Sequence, residues 1–317
     1  MSNILETKPI EACQLETEKV SRFRDQLPEK IEKIVANCYD KTCHNHIDYD
    51  PLPSRESVIR IIEKMREILF PGYFSEERVD PANLKYSIGQ SVSLVYDMLS
   101  VQITDSIRYE CLRYNKECSQ CSDQGHQFTL YLLDGIPEIR RQLSTDVEAT
   151  YTGDPAARSY DEIIFSYPGV FATAVYRVAN RLFELGVPLL PRMMTEYAHS
   201  ITGIDIHPGA EIGDGFVIDH GTGVVIGETT IIGNNVRIYQ GVTIGALSLP
   251  KEAGEKFRGK KRHPTIEDNV IVYSGATILG GDTVIGARSV IGGNVWLTKS
   301  IPPDTRVLIE EPRLVYK

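Results

Sequence analysis

Cysteine is missing from most of this sequence, because all six cysteines lie within the first 121 of its 317 residues. The remaining chain has no thiol that could act as a nucleophile, and in a reducing compartment we expect the six thiols to remain unpaired. No apolar run approaches the roughly 20 residues that cross a bilayer, which excludes a membrane-spanning helix. The first twenty residues lack the apolar segment of a secretory signal, so we expect a cytoplasmic protein.

Positive charge is also scarce. The 34 lysines and arginines are outnumbered by 43 aspartates and glutamates, and the net charge is −9. A general nucleic-acid binder needs a basic face, and a protein drawn to anionic lipids needs basic clusters. We therefore expect neither nucleic acid nor a membrane among the partners.

Glycine divides the chain into two parts, with 7 of 25 glycines in residues 1–200 and 18 in residues 201–317. In the first part, apolar residues recur at helical spacing, most clearly from Ser54 to Phe70, where Ser54 can cap the helix. Helices are predicted over 15–36, 54–70, 83–113, 127–149 and 169–186. We expect a helical domain over 1–200, of which the first 125 or so residues form an extended N-terminal region.

In the second part, aliphatic residues recur every six positions, which matches neither a strand nor a helix. This period describes one short strand and one tight turn, and three such units close one coil of a triangular prism. The residues expected to supply the backbone angles of the corners are Gly213, Gly227, Gly233 and Asn234. The thirteen inward positions are Ile206, Ile212, Ile218, Ile226, Ile232, Ile238, Ile244, Ile266, Val272, Ile278, Ile285, Ile291 and Leu297.

The repeat predicts an α+β protein, in which an all-α domain is followed by a parallel β-helix over 201–302. A loop is inserted at 245–265, and residues 303–317 form a C-terminal tail. The period resembles that of hexapeptide-repeat proteins, whose coils are left-handed and whose trimers hold active sites between neighbouring prisms. Polar residues at breaks in the repeat are therefore candidates for a site.

Two histidines lie at such breaks, His220 in a two-residue insertion and His263 at the end of the long loop. A neutral imidazole can take a proton from an alcohol, and a carboxylate on its second nitrogen fixes the tautomer. By spacing, Asp205 could support His220, and Asp219 could support His263. A third histidine, His207, precedes a proline, and we interpret it as a turn residue.

The inserted loop is basic in an acidic chain, since it has six lysines and arginines against two glutamates. Such a loop attracts a polyanionic cofactor or an acidic substrate. Arg262, next to His263, is best placed to hold a carboxylate, because a guanidinium binds it through two parallel hydrogen bonds.

Three segments resemble serine O-acetyltransferases: GIDIHPGAEIGDGFVIDHGTGVVIGETTIIGNNVRIYQGVTIG, RHPTIEDNVIVYSGATILGG and, in the helical part, DVEATYTGDPAARSYDEIIFSYPGVFATAVYRVANRLF. The resemblance spans residues 143–302, about half of the chain. It implies transfer of the acetyl group of acetyl-CoA to the hydroxyl of L-serine, the first step of cysteine biosynthesis from serine, without a metal.

The resemblance also assigns roles to residues. His220 matches the catalytic base, and Asp205 matches the aspartate that orients it. The matching residues of the serine pocket are Asp154, Asp219, Arg262 and His263, with Arg262 on the substrate carboxylate and Asp154 on the amino group. In the family, acetyl-CoA lies in a groove between two prisms, and the matching small residues are Gly245, Ala246, Ser274, Gly275, Ala276, Gly292 and Gly293.

The implied mechanism is direct transfer. His220 removes the serine proton as the oxygen attacks the thioester, backbone N–H groups stabilise the oxyanion, and the imidazolium protonates the departing thiolate. We expect no acetyl-cysteine intermediate, because residues 122–317 contain no thiol.

The resemblance implies several partners. They are L-serine, acetyl-CoA, cysteine as a feedback inhibitor at the serine pocket, and copies of the chain in a homotrimer or a dimer of trimers. Many members end in an isoleucine that plugs the active site of O-acetylserine sulfhydrylase. This sequence ends in Lys317, so we expect no such complex.

Two alternative activities are open. One is acetyl transfer to another hydroxyl, of a sugar, an antibiotic or homoserine, although Asp154 and Arg262 together favour an α-amino acid. The other is a γ-type zinc carbonic anhydrase that uses His207, His220 and His263, whose spacings of 13 and 43 residues fit that site poorly.

A structural zinc site in the N-terminal region is a separate possibility. Its ligands would come from Cys38, Cys43, His44, His46, Cys118 and Cys121. Since their spacing matches no standard zinc site, we expect these cysteines to be buried thiols.

Overall fold

The computed structural model describes residues 19–40, 42–47, 50–116, 119–247 and 259–310. By its internal contacts the chain divides into two compact units, Met1–Asp50 and Pro51–Lys317. In the first unit, residues 19–24 are helical, and helix α1 spans Leu27–Cys38 without a buried side chain. Within the described residues, the helix predicted over 15–36 is therefore present, with a break at 25–26.

The described part of the second unit begins with helices α2 (Arg55–Leu69), α3 (Leu84–Arg113), α4 (Cys121–Gly153), α5 (Tyr160–Ser166), α6 (Pro168–Glu184) and α7 (Leu190–Thr202). The predictions of α2, α3, α4 and α6 are confirmed, and Ser54 caps α2 by accepting the N–H of Ser57 at 3.3 Å. The sequence did not predict α5, which is too short to show a period, or α7, whose start is interrupted by Pro188 and Pro191. None of the described helices is long and apolar enough to cross a membrane.

The cysteines differ in state. Cys121, the first residue of α4, is disulfide-bonded, so the expectation of a reduced thiol is wrong for this residue. Cys38, Cys43 and Cys111 are free, as expected. Cys118 lies outside the described residues.

Short strands follow the helices, each two or three residues long. They are β1 (Asp205–Ile206), β2 (Glu211–Ile212), β3 (Val217–Asp219), β4 (Val225–Ile226), β5 (Ile231–Ile232), β6 (Arg237–Tyr239), β7 (Thr243–Gly245), β8 (Thr265–Ile266), β9 (Ile271–Val272), β10 (Thr277–Leu279), β11 (Val284–Ile285), β12 (Val290–Ile291), β13 (Trp296–Leu297) and β14 (Arg306–Val307).

The strands form the three faces of a left-handed parallel β-helix. Sheet A contains β1, β4, β7, β10 and β13, sheet B contains β2, β5, β8 and β11, and sheet C contains β3, β6, β9, β12 and β14. Each strand pairs in parallel with the strand one coil away, as Val217 of β3 does with Arg237 of β6. The coil continues to Val307, past the expected end at residue 302.

Stacked aliphatic side chains fill the coil. All thirteen positions predicted from the period of six fall in strands; twelve of them are buried, and Leu297 is half-buried. Ile218 is in register with Ile238 one coil away, and Ile238 with Val272. Because each buried aliphatic side chain contributes roughly 1.5–3 kcal/mol, this stack is a main source of stability.

The backbone angles of the corner residues differ from the prediction. The residues expected to have unusual backbone angles, Gly213, Gly227, Gly233 and Asn234, do not have positive φ. Positive φ occurs at neighbours such as Asn235, at 56°. The three glycines are needed because other groups approach closely: a Cβ on Gly227 would lie 2.1 Å from Cδ2 of His263.

A buried ion pair joins the helices to the coil. Asp146 of α4 and Arg177 of α6 are each 3% exposed, and Nε of Arg177 lies 2.8 Å from Oδ2 of Asp146. Asp146 also accepts the N–H of Phe216 at 2.8 Å, and Arg177 donates to the carbonyl oxygens of Ile212 at 3.4 Å and Gly213 at 2.8 Å. The pair therefore fixes two helices against the first coil.

We expect Asp146→Asn to lower the free energy of unfolding by about 3–5 kcal/mol, because the Arg177 guanidinium then stays buried without its counter-charge. Urea unfolding followed by circular dichroism measures the change. Asp304→Asn is the control, since it breaks an ion pair with Arg288 whose side chains are 59% and 63% exposed, and its midpoint should hardly move. Equal midpoints for the two variants would contradict the role of the buried pair.

Candidate active site

His220 stands at the corner where sheet C leads into sheet A. It follows β3, its backbone is left-handed with φ 56°, and its side chain is 74% exposed. Nε2 of the ring lies 3.8 Å from Oδ1 of Asp219. The imidazole is therefore open to a substrate and has a carboxylate beside it.

Asp154 reaches the same corner from the helical part. Its Oδ2 accepts the hydroxyl of Tyr167 at 2.6 Å, and its Oδ1 accepts the N–H of Ala156 at 2.8 Å. These hydrogen bonds lower the pKa of Asp154, and the nearby charges of Arg237 and His220 act in the same direction. The bond to Asp154 raises the pKa of Tyr167 to about 12. Asp154 is therefore a carboxylate at neutral pH and suits an ammonium group.

Sequence reasoning missed two residues here, Tyr167 and Arg237. The resemblance gave no role to Tyr167, the residue directly before α6. Arg237, the first residue of β6, donates from Nη2 to the carbonyl oxygen of Ala149 at 2.9 Å, and its Nη1 lies 3.8 Å from Oδ2 of Asp219. No spacing rule could have found these contacts, because they arise where α4 packs on the coil. The residues that we call the His220 corner are Asp154, Tyr167, Asp219, His220 and Arg237.

The opposite edge of sheet A carries a second polar group. His263 is 7% exposed and packs on Gly227, the residue that follows β4. Its Nδ1 accepts the N–H of Thr229 at 3.0 Å, which leaves the ring proton on Nε2. Burial and then the charge of Arg262 lower the pKa of His263 to about 4, so the ring is neutral at pH 7.

Arg262, beside His263, is engaged within the chain. Its Nη2 donates to the carboxylate of Glu228, and its backbone N–H donates to Oγ1 of Thr229 at 2.9 Å. A substrate carboxylate would have to share or replace Glu228 at this guanidinium. The residues that we call the His263 corner are Glu228, Thr229, Arg262 and His263.

The two corners do not meet within one chain. His220 precedes strand β4, whereas His263 packs on the glycine that follows it, so the two imidazoles lie at opposite edges of sheet A. The pairing of Asp219 with His263 that the spacing suggested is therefore wrong for a single chain, since Asp219 lies beside His220.

Asp205 has a partner that the sequence did not indicate. Its carboxylate accepts hydrogen bonds from Nη1 and Nη2 of Arg192, at 2.9 and 3.4 Å. Arg192 belongs to α7, whose presence the sequence did not predict. The carboxylate that the structure places next to the His220 ring is that of Asp219.

The small residues expected along acetyl-CoA are divided between the same two corners. Those at the turns between sheets C and A, with His220, are Ser274, Gly275, Ala276, Gly292 and Gly293. Those at the end of β7, on the edge of His263, are Gly245 and Ala246. A Cβ on Gly275 would lie 2.4 Å from Oδ1 of Asn294, so this turn requires glycine.

One group within the described ranges has the spacing of a metal site. The ligand atoms of Glu196, His199 and Asp205 lie within 4.8 Å of one another. Arg192 forms ion pairs with both carboxylates, so a positive charge already occupies this group.

The zinc alternatives gain no support from the geometry. Nδ1 of His207 accepts the N–H of Gly209 at 3.0 Å, and burial lowers the pKa of His207, as suits a turn residue. His220 lies at the other corner from His263, so the three histidines do not converge in one chain. Cys118, one of the cysteines considered for a structural zinc, lies outside the described residues.

Known sequences provide an independent comparison. No protein-family model matches the chain. A protein of Synechococcus elongatus named "serine acetyltransferase, plasmid" is 48% identical over 256 residues, which cover 80% of each chain. The serine acetyltransferase of Mycobacterium tuberculosis is 46% identical over 163 residues, 51% of this chain and 67% of the relative.

Solved structures agree with the sequences. Serine acetyltransferase 1 of Entamoeba histolytica, in complex with L-cysteine, has a TM-score of 0.68 and 38% identity, and the match covers 81% of this chain and 87% of that one. Serine acetyltransferase of Neisseria gonorrhoeae, in complex with serine, has a TM-score of 0.52 and 25% identity, over 80% and 97% of the chains. At these coverages the similarity includes the helices as well as the coil.

We expect acid to destabilise the fold through His263. Its folded pKa of about 4 lies below the ordinary value of 6.5, so the unfolded chain binds the proton first as the pH falls. The stabilisation is complete above pH 6.5 and is lost as the pH approaches 4. His263→Gln should therefore flatten the decline in unfolding free energy between neutral and acidic pH, measured by urea titration. Parallel curves for the two proteins would contradict this account.

Proposed function

The chain belongs to the serine acetyltransferase family and is an acyltransferase of cysteine biosynthesis, and from this premise we propose which residues perform the transfer. We infer that a complete active site combines the His220 corner of one copy with the His263 corner of another. The observation that carries this proposal is the separation of His220 and His263 across sheet A. We assign the transfer to the coil over 201–302, and the helical domain over 1–200 supplies Asp154.

We assign the catalytic base to His220. The ring takes the hydroxyl proton of serine as the oxygen forms its bond to the acetyl carbonyl carbon. The carbon–sulfur bond then breaks, and the imidazolium returns the proton to the thiolate of CoA. Asp205 is paired with Arg192 in the single chain, and in an orienting role its carboxylate would accept the ring N–H of His220 in addition.

Serine brings one positive and one negative group, and the two corners are complementary to them. Asp154 and Asp219 lie next to the base and would bind the ammonium group. Arg262 and His263 would bind the carboxylate from the neighbouring copy, with Arg262 exchanging Glu228 for the substrate. A sugar offers no such pair of charges, which favours an α-amino acid such as serine over a sugar; homoserine has both charges and is separated from serine by the acceptor assay.

The faces of the prism support a ring of three copies. A head-to-tail contact between two different corners closes a ring when it is repeated by rotation. Sheet A, which lies between the corners, would then face the axis. Its outward column consists of Asp205, Val225, Thr243, Thr277 and Trp296, and Trp296 is 68% exposed in the single chain. Burial of this column is a reason for the copies to associate.

The turns of small residues at both corners would line the groove for acetyl-CoA. Small residues at Ser274, Gly275 and Ala276 let the backbone come close to the pantetheine, while the N–H groups of Gly275 and Ala276 donate to the carbonyl oxygens of Gln240 at 2.9 Å and Tyr273 at 3.3 Å within the coil. The negative charge that develops on the carbonyl oxygen needs backbone N–H donors other than these two. We propose direct transfer without a metal, in which the serine and the thioester occupy the groove together.

Cysteine differs from serine only in having sulfur in place of the hydroxyl oxygen. The Entamoeba histolytica structure is a complex with L-cysteine, which supports binding of cysteine by this chain. We propose that cysteine uses the same charges, Asp154 and Arg262, and therefore competes with serine.

His220→Ala should lower the turnover number by about 10²–10⁴-fold, because general base catalysis is lost. Release of CoA thiol in the presence of acetyl-CoA and serine measures the rate, with homoserine and sugars as alternative acceptors. His126→Ala is the matched control, since this histidine lies on α4 and contacts Tyr96. The control should keep full activity, and both variants should unfold at the same urea concentration. Turnover that survives His220→Ala would refute the assignment of the base.

Mixing inactive copies tests the shared site. His220→Ala and Arg262→Ala chains, unfolded together and refolded as a mixture, should regain about a quarter of the normal activity at low serine, because random assembly joins two intact corners at one interface in four. Each variant refolded alone should remain inactive under the same conditions. A mixture no more active than its components would mean that each site is built within one chain.

A further inference from the structure

Arg237 is the residue of the His220 corner that the proposed chemistry leaves without a role. Its side chain is 13% exposed and lies between the end of α4 and strand β3. Nη2 donates to the carbonyl oxygen of Ala149, whereas Nη1 is buried and has no hydrogen-bond partner. A buried charged nitrogen without a hydrogen bond is costly, so an electrostatic partner is expected near it.

Nη1 is directed toward the substrate-binding carboxylate. It lies 3.8 Å from Oδ2 of Asp219, too far for a hydrogen bond but within the range of an ion pair. The guanidinium occupies the space that a side chain at position 153 would need, because a Cβ on Gly153 would lie 1.5 Å from Nη2. Gly153 thus lets the guanidinium of Arg237 come close to the end of α4, which any larger residue would prevent. This close contact fixes the position of Arg237 beside Asp219.

Asp219 therefore lies between two groups that compete for its charge. Its Oδ2 faces Arg237, and its Oδ1 lies 3.8 Å from Nε2 of His220. An unpaired carboxylate at this distance favours the protonated form of an imidazole, and a protonated imidazole cannot act as a base. The other charged or titratable groups near the ring are Asp154 and Tyr167 from the helical part, and on the first coil Asp205, which is paired with Arg192.

We propose that Arg237 is a positioning residue that holds the charge of Asp219 away from His220, so that the imidazole stays neutral and able to take the serine proton. The inference rests on the proposed function, because it assumes that His220 is the base. It gives Arg237, a residue to which the resemblance assigned no role, the task of setting the pH range in which the enzyme works.

The test is the pH profile of kcat/KM for serine in the full-length protein. Arg237→Met removes the charge, and the acidic limb of its profile should move to higher pH by about one unit, because the imidazolium form now persists further toward neutrality. Arg237→Lys keeps the charge and should have its limb close to that of the unaltered enzyme. Arg288→Met removes an exposed arginine elsewhere on the β-helix, and the acidic limb of its pH profile should not move.

A purely structural role gives a different pattern. If Arg237 only supports packing, Arg237→Met and Arg237→Lys will lower kcat/KM at every pH without moving the acidic limb, or will move the limb by the same amount. Either result overturns the proposal. If Arg237→Met does not fold, Arg237→Gln, which retains a donor for Ala149 but no charge, replaces it with the same two outcomes. A fully active His220→Ala would instead refute the proposed function, which keeps the two failures distinct.

Discussion

Every functional feature of this chain depends on one constraint, that an aliphatic side chain must point into the coil once in every six residues. The stacked side chains from Ile206 to Leu297 fill the interior of the β-helix, so a binding or catalytic site can form only on the outer faces and at the corners. Because successive strands lie about 4.8 Å apart, corner residues of neighbouring coils form columns at fixed spacing. His220 and the turn at Gly275 belong to one such column, so the proposed base and the proposed groove for a long co-substrate share an edge.

The coil alone does not complete the site, because Asp154 belongs to the helical part. Asp154 directly follows the last residue of α4 and comes eight residues after Asp146, a distance of about 12 Å along a helix. The buried pair of Asp146 with Arg177 anchors that helix to the first coil, one edge away from His220. A shift of α4 would move Asp154 and Gly153 together, and with them the contact of Arg237. Stability and catalytic geometry are therefore set by the same helix.

The β-helix could be predicted from the sequence because each of its strands is determined by a local pattern of residues. All thirteen inward positions follow from one period, and the breaks at His220 and His263 were visible as defects in it. Contacts between elements could not be read in this way. The pairing of Asp205 with His220 was inferred from spacing, but α7 brings Arg192 to that carboxylate. Gly227 was expected at a positive φ, yet its role is to make room for His263, which a loop delivers from 36 positions later.

The charges of the site explain why two incomplete corners are stable before they meet. In the single chain, Asp219 is balanced by Arg237, and Arg262 is balanced by Glu228, so neither corner carries a bare buried charge. A bare charge would oppose folding of the separate chain. In the proposed shared site, the ammonium group of serine would pair with Asp154 and Asp219, and its carboxylate would replace Glu228 at Arg262. A ligand with only one of these charges would match only one of the two corners.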